Sequence, residues 1–312
     1  MNGAGHGRGV AILGIYVTDL TFRAPRQPAI GETVIGSGFA MGPGGKGANQ
    51  AVAAARTGAK TTFISKIGKD SFGDSALAAW KNEGILPHVL QSASEPTGAA
   101  SIFVNEMTGE NAIVVVPGAA STLTPADVEA ASEAIGRARV FVTQSEQPMR
   151  AAMRGLEIAR AAGVITLLNP APAAPIADAT YPLCDYMIPN ESEAAALAGL
   201  AVATLDDARR AGDILLKKGV GTALITLGEK GALFHNRQRS VAIAAFNAGT
   251  ALDSTGAGDA FVGAFAAALA EDFDPLKAAH FASAAAGISV TRPGAASSMA
   301  KRSEIEQLLR QA

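Results

Sequence analysis

Asp253-Ser254-Thr255-Gly256-Ala257-Gly258-Asp259-Ala260 runs without a break into Phe261-Val262-Gly263-Ala264-Phe265-Ala266-Ala267-Ala268-Leu269. The second stretch is apolar, free of proline and rich in good helix formers. A glycine-rich turn that opens a helix leaves several backbone N–H groups without intrahelical partners. With the helix dipole they make an anion hole suited to phosphate. Asp259 stands at the mouth of that hole. A carboxylate where an anion should bind costs electrostatic energy, and one chemical reason offsets that cost: a base that takes a proton from a hydroxyl as the hydroxyl attacks a phosphoryl group. The plainer alternative is an acid that only stabilises the first turn of its helix.

Composition narrows the field. The 312 residues are long for one compact domain and short for three, which suits one large α/β domain with an appendage. Hydrophobic residues make up 48% of the chain, enough for a sizeable core. A net charge of −2 and a pI near 6.1 give no basic footprint for nucleic acid or an anionic membrane. Cys184 has no second cysteine to pair with, which suits a reducing cytoplasm. The histidines at 6, 88, 235 and 280 share no metal-ligand spacing. The apolar run Val10–Val17 reads as a first strand, and the run Ala194–Leu205 falls short of the roughly 18 residues that span a bilayer. The expected protein is soluble and cytoplasmic.

Strand-like runs at Val10–Val17, Thr61–Ile67, Arg139–Thr143, Val164–Leu168, Tyr186–Pro189 and Ala223–Leu227 alternate with helical patterns at Ala48–Gly58, Ser71–Glu83, Pro125–Ile135, Met149–Ala162 and Ala208–Lys218. That alternation predicts a mostly parallel sheet with helices on both faces, and ligands beyond the carboxyl ends of its strands. Two stretches break the rhythm. Residues Gly31–Phe39 alternate partly like a strand, and Gly98–Asn105 with Ala112–Val116 read as a hairpin around Glu106–Asn111. They suggest a small sheet inserted at about 31–40 and 98–116 as a lid over a site, the alternative being an edge extension of the main sheet.

The other strand ends carry polar clusters. Gly42-Pro43-Gly44-Gly45-Lys46-Gly47-Ala48-Asn49-Gln50 fails as a Walker loop, because Lys46 is followed by Gly47 rather than Ser or Thr. Its glycines instead let Lys46 and Asn49 approach a ligand closely, with both side chains suited to sugar hydroxyls; Asn49 as a mere cap is the alternative. In Asn190-Glu191-Ser192-Glu193 the residues read by themselves favour a capping box, with Mg²⁺ held through water as the second reading. Thr226-Leu227-Gly228-Glu229-Lys230-Gly231 ends a strand in a tight turn with backbone donors for a phosphate, and Gln144-Ser145-Glu146 puts a carboxylate on the same edge.

Taken in order, Gly-Gly-Lys-Gly-Ala-Asn-Gln at 44–50, Asn-Pro-Ala-Pro at 169–172, Pro-Asn-Glu-Ser-Glu at 189–193, Leu-Ile-Thr-Leu-Gly at 224–228 and Asp-Ser-Thr-Gly-Ala-Gly-Asp-Ala-Phe at 253–261 resemble the ribokinase (PfkB) family of sugar kinases. The resemblance runs from about Val10 to Leu309. It implies a single kinase domain over residues 1–312, folded as a ribokinase-like three-layer α/β/α sandwich with a small β lid. It also implies ATP as phosphoryl donor, Mg²⁺, K⁺ as activator and a homodimer joined through the lid strands.

Residue by residue, the resemblance implies that Asp259 is the general base and that Gly256, Ala257 and Gly258 form the anion hole. Asp19, Gly45, Lys46, Asn49 and Glu146 match sugar-contacting positions, and Asn190 and Glu193 the motif that organises Mg²⁺ and phosphates. Thr226 and Gly228 match the nucleotide loop. Asp253, Thr255, Ser289, Arg292, Gly294 and Ser298 match the segments around a monovalent-cation site, several through backbone carbonyls. D-Ribose, phosphorylated to ribose 5-phosphate, is the expected substrate. Another sugar, a nucleoside, or a sugar- or nucleotide-sensing protein without turnover are the alternatives.

One departure concerns specificity. Family members usually carry Asn two residues before the sugar-binding Asp, and here that position is Val17, in Gly14-Ile15-Tyr16-Val17-Thr18-Asp19. A site built to bond a hydroxyl loses more without its partner than an apolar slot does. Either the substrate lacks or reorients one hydroxyl, or Thr18, Tyr16 or water substitutes.

Overall fold

Gly14 divides the run Val10–Val17 into two strands of different sheets. In the computed structural model, which describes residues 9–311, strand β1 (Gly9–Leu13) ends there and β2 (Val17–Ala24) turns away into a second layer. A Cβ on Gly14 would lie 2.7 Å from the Cα of Gly47, so only glycine lets the chain pass at this point. His6 and the glycine-rich opening lie outside the described residues.

The chain continues through β3 (Gly38–Gly44), α1 (Lys46–Arg56), β4 (Lys60–Gly68), α2 (Ser71–Asn82), β5 (Leu86–Ser92), β6 (Thr97–Asn105) and β7 (Asn111–Gly118). Then follow α3 (Pro125–Glu129), α4 (Ser132–Arg137), β8 (Val140–Thr143), α5 (Met149–Ala161), β9 (Ile165–Leu168), β10 (Tyr186–Met187), α6 (Glu191–Ala198), α7 (Leu205–Lys217), β11 (Thr222–Thr226), β12 (Ala232–Asn236), β13 (Ser240–Ile243), α8 (Ala257–Ala270), α9 (Pro275–Ser289) and α10 (Arg302–Gln311).

Among the described residues, nine strands form the large sheet in the order β13-β12-β11-β10-β9-β8-β1-β4-β5. Neighbours are parallel from β11 to β5, and the hairpin β12–β13 closes one edge antiparallel. Period-two alternation splits the strand side chains between two cores. Val10, Ile12 and Phe63 face the core built with α1, α8 and α9, while Ala11, Leu13 and Ile64 face the one built with α3 to α7. Helix α8 is buried on nearly every side between α1, α9 and the sheet, which is why its sequence is apolar all round. No described helix is long and apolar enough to cross a membrane.

The smaller sheet has the order β3-β2-β6-β7. The expected hairpin is present as β6 and β7, turning at Gly109 with φ +75°. The strand expected over 31–39 lies later, at β3. Residues 31–37 are irregular because local polar bonds win there: Glu32 accepts from the Ala29 N–H and the two terminal guanidinium nitrogens of Arg26. The single helix expected over Pro125–Ile135 is two, broken after the short capped turn that Thr124 and Pro125 start.

Candidate active site

Sheet order reverses between β8 and β1, and polar groups gather at the carboxyl ends of the strands around that point. A cleft of about 210 Å³ is lined there by Lys46, Asn169, Asn190, Glu193, Thr226, Ser254, Gly256, Gly258 and Asp259, with the apolar side chains Ala171, Ile188 and Val262.

Gly256 caps α8 with φ +77°, and a Cβ on it would lie 2.9 Å from the Cα of Ala295. Only glycine takes that left-handed turn without strain against so close a neighbour. Gly258 meets no protein atom within 4 Å of an added Cβ, so its bareness opens the cleft wall toward a ligand. Asp259 sits in the first turn of α8 and is 6% exposed. Its Oδ2 accepts from Asn49 Nδ2 and its Oδ1 from Gln50 Nε2, each at 3.0 Å. Burial raises its pKa, opposed by the Lys46 ammonium and these two amide bonds.

On the other side stand two more carboxylates. Glu146, just past β8, accepts from the Lys46 N–H at 2.8 Å. Burial pushes its pKa to about 7 against the pull of that N–H and of the Lys46 charge, with Asp259 and Asp19 adding repulsion. Asp19 on β2 is pushed to about 6 by burial. Its carboxylate lies against Gly44, where any Cβ would collide with it. Gly45 caps α1 at φ +93°, within 2.6 Å of the Ile15 carbonyl if it carried a Cβ. Val17, 3% exposed, packs with Ile15, Ala100 and Ala120. It stands two residues from Asp19 on the same strand face, between Gly44 of β3 and Gly98 of β6.

Asn190 and Glu193 form a capping box on α6: Asn190 Oδ1 accepts from the Glu193 N–H at 2.8 Å, and Glu193 Oε2 from the Asn190 N–H at 2.9 Å. Both also line the cleft. The Glu193 carboxyl is 6% exposed and raised in pKa by burial. Thr226 ends β11, its N–H donating to the Pro189 carbonyl, and Gly228 follows at φ +55°.

The expected cation-site residues gather a short way off, where the 252–255 loop meets the turn after α9. The N–H groups of Leu252 and Asp253 donate to the Val290 carbonyl. Asp253 accepts from the Thr255 N–H at 2.9 Å and the Gly294 N–H at 2.8 Å, clamping the two loops together. The hydroxyls of Ser289 and Ser298 donate to carbonyls of their own turns, and the Arg292 guanidinium pairs with Glu304. The Arg292 side chain is thereby turned away from cation ligation, while the two serines keep oxygen lone pairs and main-chain carbonyls.

Three amides of the site carried no assigned role in the sequence: Gln50, Gln144 and Asn169. Their motifs are visible, but only the fold shows that Gln50 and Gln144 are wholly buried and joined to Asp259.

Around this cleft of glycines, buried carboxyls and amides, the family model of the pfkB family carbohydrate kinases matches residues 8–302. The chain belongs to the pfkB family. It is a carbohydrate kinase, a phosphotransferase acting on an alcohol group. It is 40% identical to the ribokinase of Haemophilus influenzae, over 97% of this chain and 99% of that one. It is 37% identical to a deoxyribokinase of Salmonella typhimurium, over 93% and 94%. The solved ribokinase of Arabidopsis thaliana, complexed with ribose and ATP, superposes with a TM-score of 0.91 at 29% identity, covering 97% of this chain and 99% of that one. These pfkB relatives match across nearly their whole length.

Proposed function

We propose that this kinase transfers the γ-phosphate of ATP to the primary hydroxyl of a pentose, D-ribose being phosphorylated to ribose 5-phosphate. The observation that carries the reading is Asp259, buried in the first turn of α8 behind Gly256, Ala257 and Gly258. Asp259 accepts the proton as the hydroxyl attacks, and the backbone N–H groups of Gly256 and Gly258 face the charge that develops on the phosphoryl oxygens, the Ala257 N–H donating to the Ser254 carbonyl. Asp19, Glu146 and Asn49 orient the sugar; the buried Asn49 Oδ1 has no partner among the described residues and suits a sugar hydroxyl. Gly45 brings the backbone close enough for the same ligand. The Lys46 N–H braces Glu146 on the sugar side, and Asn190, Thr226 and Gly258 line the same cleft toward the nucleotide, with Gly228 in the turn just after Thr226.

The acidic side of the cleft fits a divalent cation. Glu193 is a buried, desolvated carboxyl facing the phosphate side, and Mg²⁺ reached through water would supply neutralising charge to the phosphates. No group of three or more His, Cys, Asp or Glu side chains is placed to hold a metal ion among the described residues. The Asp253–Gly294 clamp, with main-chain carbonyls of Thr255, Ser289, Arg292, Gly294 and Ser298, is the proposed K⁺ site. The lone buried Cys184 suits the reducing cytoplasm.

A second acceptor class is favoured by Val17. Its methyl groups on the face of Asp19 suit a sugar with one hydroxyl fewer, and the deoxyribokinase likeness points the same way. A coupled ADP-release assay over pentoses, deoxypentoses, hexoses, polyols and nucleosides tests both readings. Asp259→Asn should keep ATP binding and lower turnover at least about a hundredfold; near-normal turnover would sink the base. No ADP with any sugar, beside clear sugar binding, would make this a sensor. Val17→Asn should raise kcat/KM for ribose up to about tenfold if ribose is natural, and weaken a natural substrate that lacks the hydroxyl. An unchanged ranking removes Val17 from specificity.

A further inference from the structure

Behind Asp259 runs a line of buried amides that no step above uses. Gln50, 0% exposed, is bonded through both its side-chain nitrogen and its oxygen. Its Nε2 donates to Asp259 Oδ1 and to Asn169 Oδ1, both at 3.0 Å, and its Oε1 accepts from Gln144 Nε2 at 2.6 Å. Asn169 is itself fixed by donating to the Ile188 carbonyl at 2.7 Å, so its oxygen must face Gln50. Gln144 Oε1 is wedged where a Cβ on Gly14 would come within 2.6 Å and one on Gly47 within 2.8 Å. The two glycines at the crossing of β1 and α1 thus seat Gln144, Gln144 seats Gln50, and Gln50 meets the carboxylate.

We propose that Gln50 is a positioning residue for phosphoryl transfer: locked in one orientation by Gln144 and Asn169, its amide holds the Asp259 carboxylate rotated toward the acceptor hydroxyl. This rests on the reading of Asp259 as the base. Buried amides cost desolvation free energy unless bonded; Gln50 is bonded through both its nitrogen and its oxygen and so holds one orientation, while the Gln144 Oε1 behind it has no partner among the described residues. The neutral donor also suits the chemistry. An Arg in place of Gln50 would hold the carboxylate firmly ionised and make it a poor proton acceptor, whereas an amide stabilises the anion without a full charge. The remaining charged groups that face Asp259 are Lys46 from α1, Glu146 from the loop after β8 and Glu193 from α6, with Asp19 of β2 beside Glu146.

The test is the pH profile of kcat/KM for Gln50→Met, a near-isosteric change without donors, beside the parent and Asp259→Asn, each also in a Glu146→Gln background so that the Glu146 titration does not mask the limb. Losing one donor to a carboxylate should move the acid limb up by about one pH unit. It should also cut kcat about tenfold while the KM for ATP stays within twofold. If Gln50→Met does not fold, Gln144→Met reads the same line from its far end, with a smaller shift of the same sign. An unmoved limb with kcat within twofold, in whichever of these variants folds, overturns the positioning role. Should Asp259→Asn keep its turnover, the base itself is misassigned and the proposal falls with it, whatever Gln50→Met does.

Discussion

Glu146 illustrates how a single side chain couples binding to stability. Its carboxyl is raised from the ordinary 4.5 to about 7, first by burial. The folded protein therefore holds that proton more tightly than the unfolded chain does. The group costs no stability below about 4.5, and its cost grows as pH rises through about 7, where a charge must sit in a desolvated place. Glu146→Gln should accordingly raise Tm at pH 8 by about 2 °C or more, and leave it nearly unchanged at pH 4.5. The same variant should bind the sugar worse at pH 8, because the ionised oxygen that accepts from a hydroxyl is gone. Thermal scans at the two pH values settle the matter; equal Tm values at both would show that Glu146 carries no such cost. Residues of this kind were legible in the sequence as strand-end acids. Their altered acidity was not, since it comes first from burial that only the fold creates, with Asp259, distant in the chain, adding repulsion.

Helix α6 shows an element serving two ends at once. Read alone, Asn190 and Glu193 spell a capping box, and the box is there with both reciprocal bonds. Yet the same two side chains line the cleft. The roles separate by mutation. Asn190→Ala should lose about 1 kcal/mol of stability together with nucleotide affinity, whereas Asn190→Ser should keep the cap and lose only the affinity. If Asn190→Ser binds ATP as well as the parent, the residue is a cap and nothing more. Regular elements such as β4, α2, α5 and α7 were readable within a few residues because one hydrophobic period dominates each. The misplaced ones fail for local reasons. Val10–Val17 looks like one strand because the contact that stops it, Gly14 against Gly47, is tertiary. The edge strands β5 and β13 are not legible because they carry mixed polar residues where pairing rather than pattern decides, and β12, though buried, is too short a run to stand out. The Gln50 amide line escaped for the same reason, as no spacing rule tells which helix face meets Asp259.

At the scale of the whole molecule the small sheet is unfinished. Along β7 the side chains of Ile113, Val114, Val115 and Val116 are all exposed, and Phe22, Phe39 and Met41 lie open on β2 and β3. A row this apolar is costly in water and is a fitting surface for a second copy of itself. We expect a homodimer joined through the small sheets, with a mass of two chains by light scattering at micromolar concentration. Replacing Ile113 and Val115 by Lys should yield the mass of one chain. A single-chain mass for the parent would contradict the dimer.

The bonds from Asn49 and Gln50 to Asp259 join positions 210 and 209 residues apart in the chain. Their separation has a consequence for synthesis. Loops of that length close late, since the entropy of bringing distant segments together must be met before any contact repays it. A nascent chain that has folded through β8 already holds Asp19 and Glu146, but it has no α8 and so, on the proposed reading, no anion hole and no proton acceptor. With Asp259 as the base, such a chain should stay inert toward ATP until α8 has been made and docked, so a truncated product ending before Asp259 should be a silent protein rather than a wasteful hydrolase.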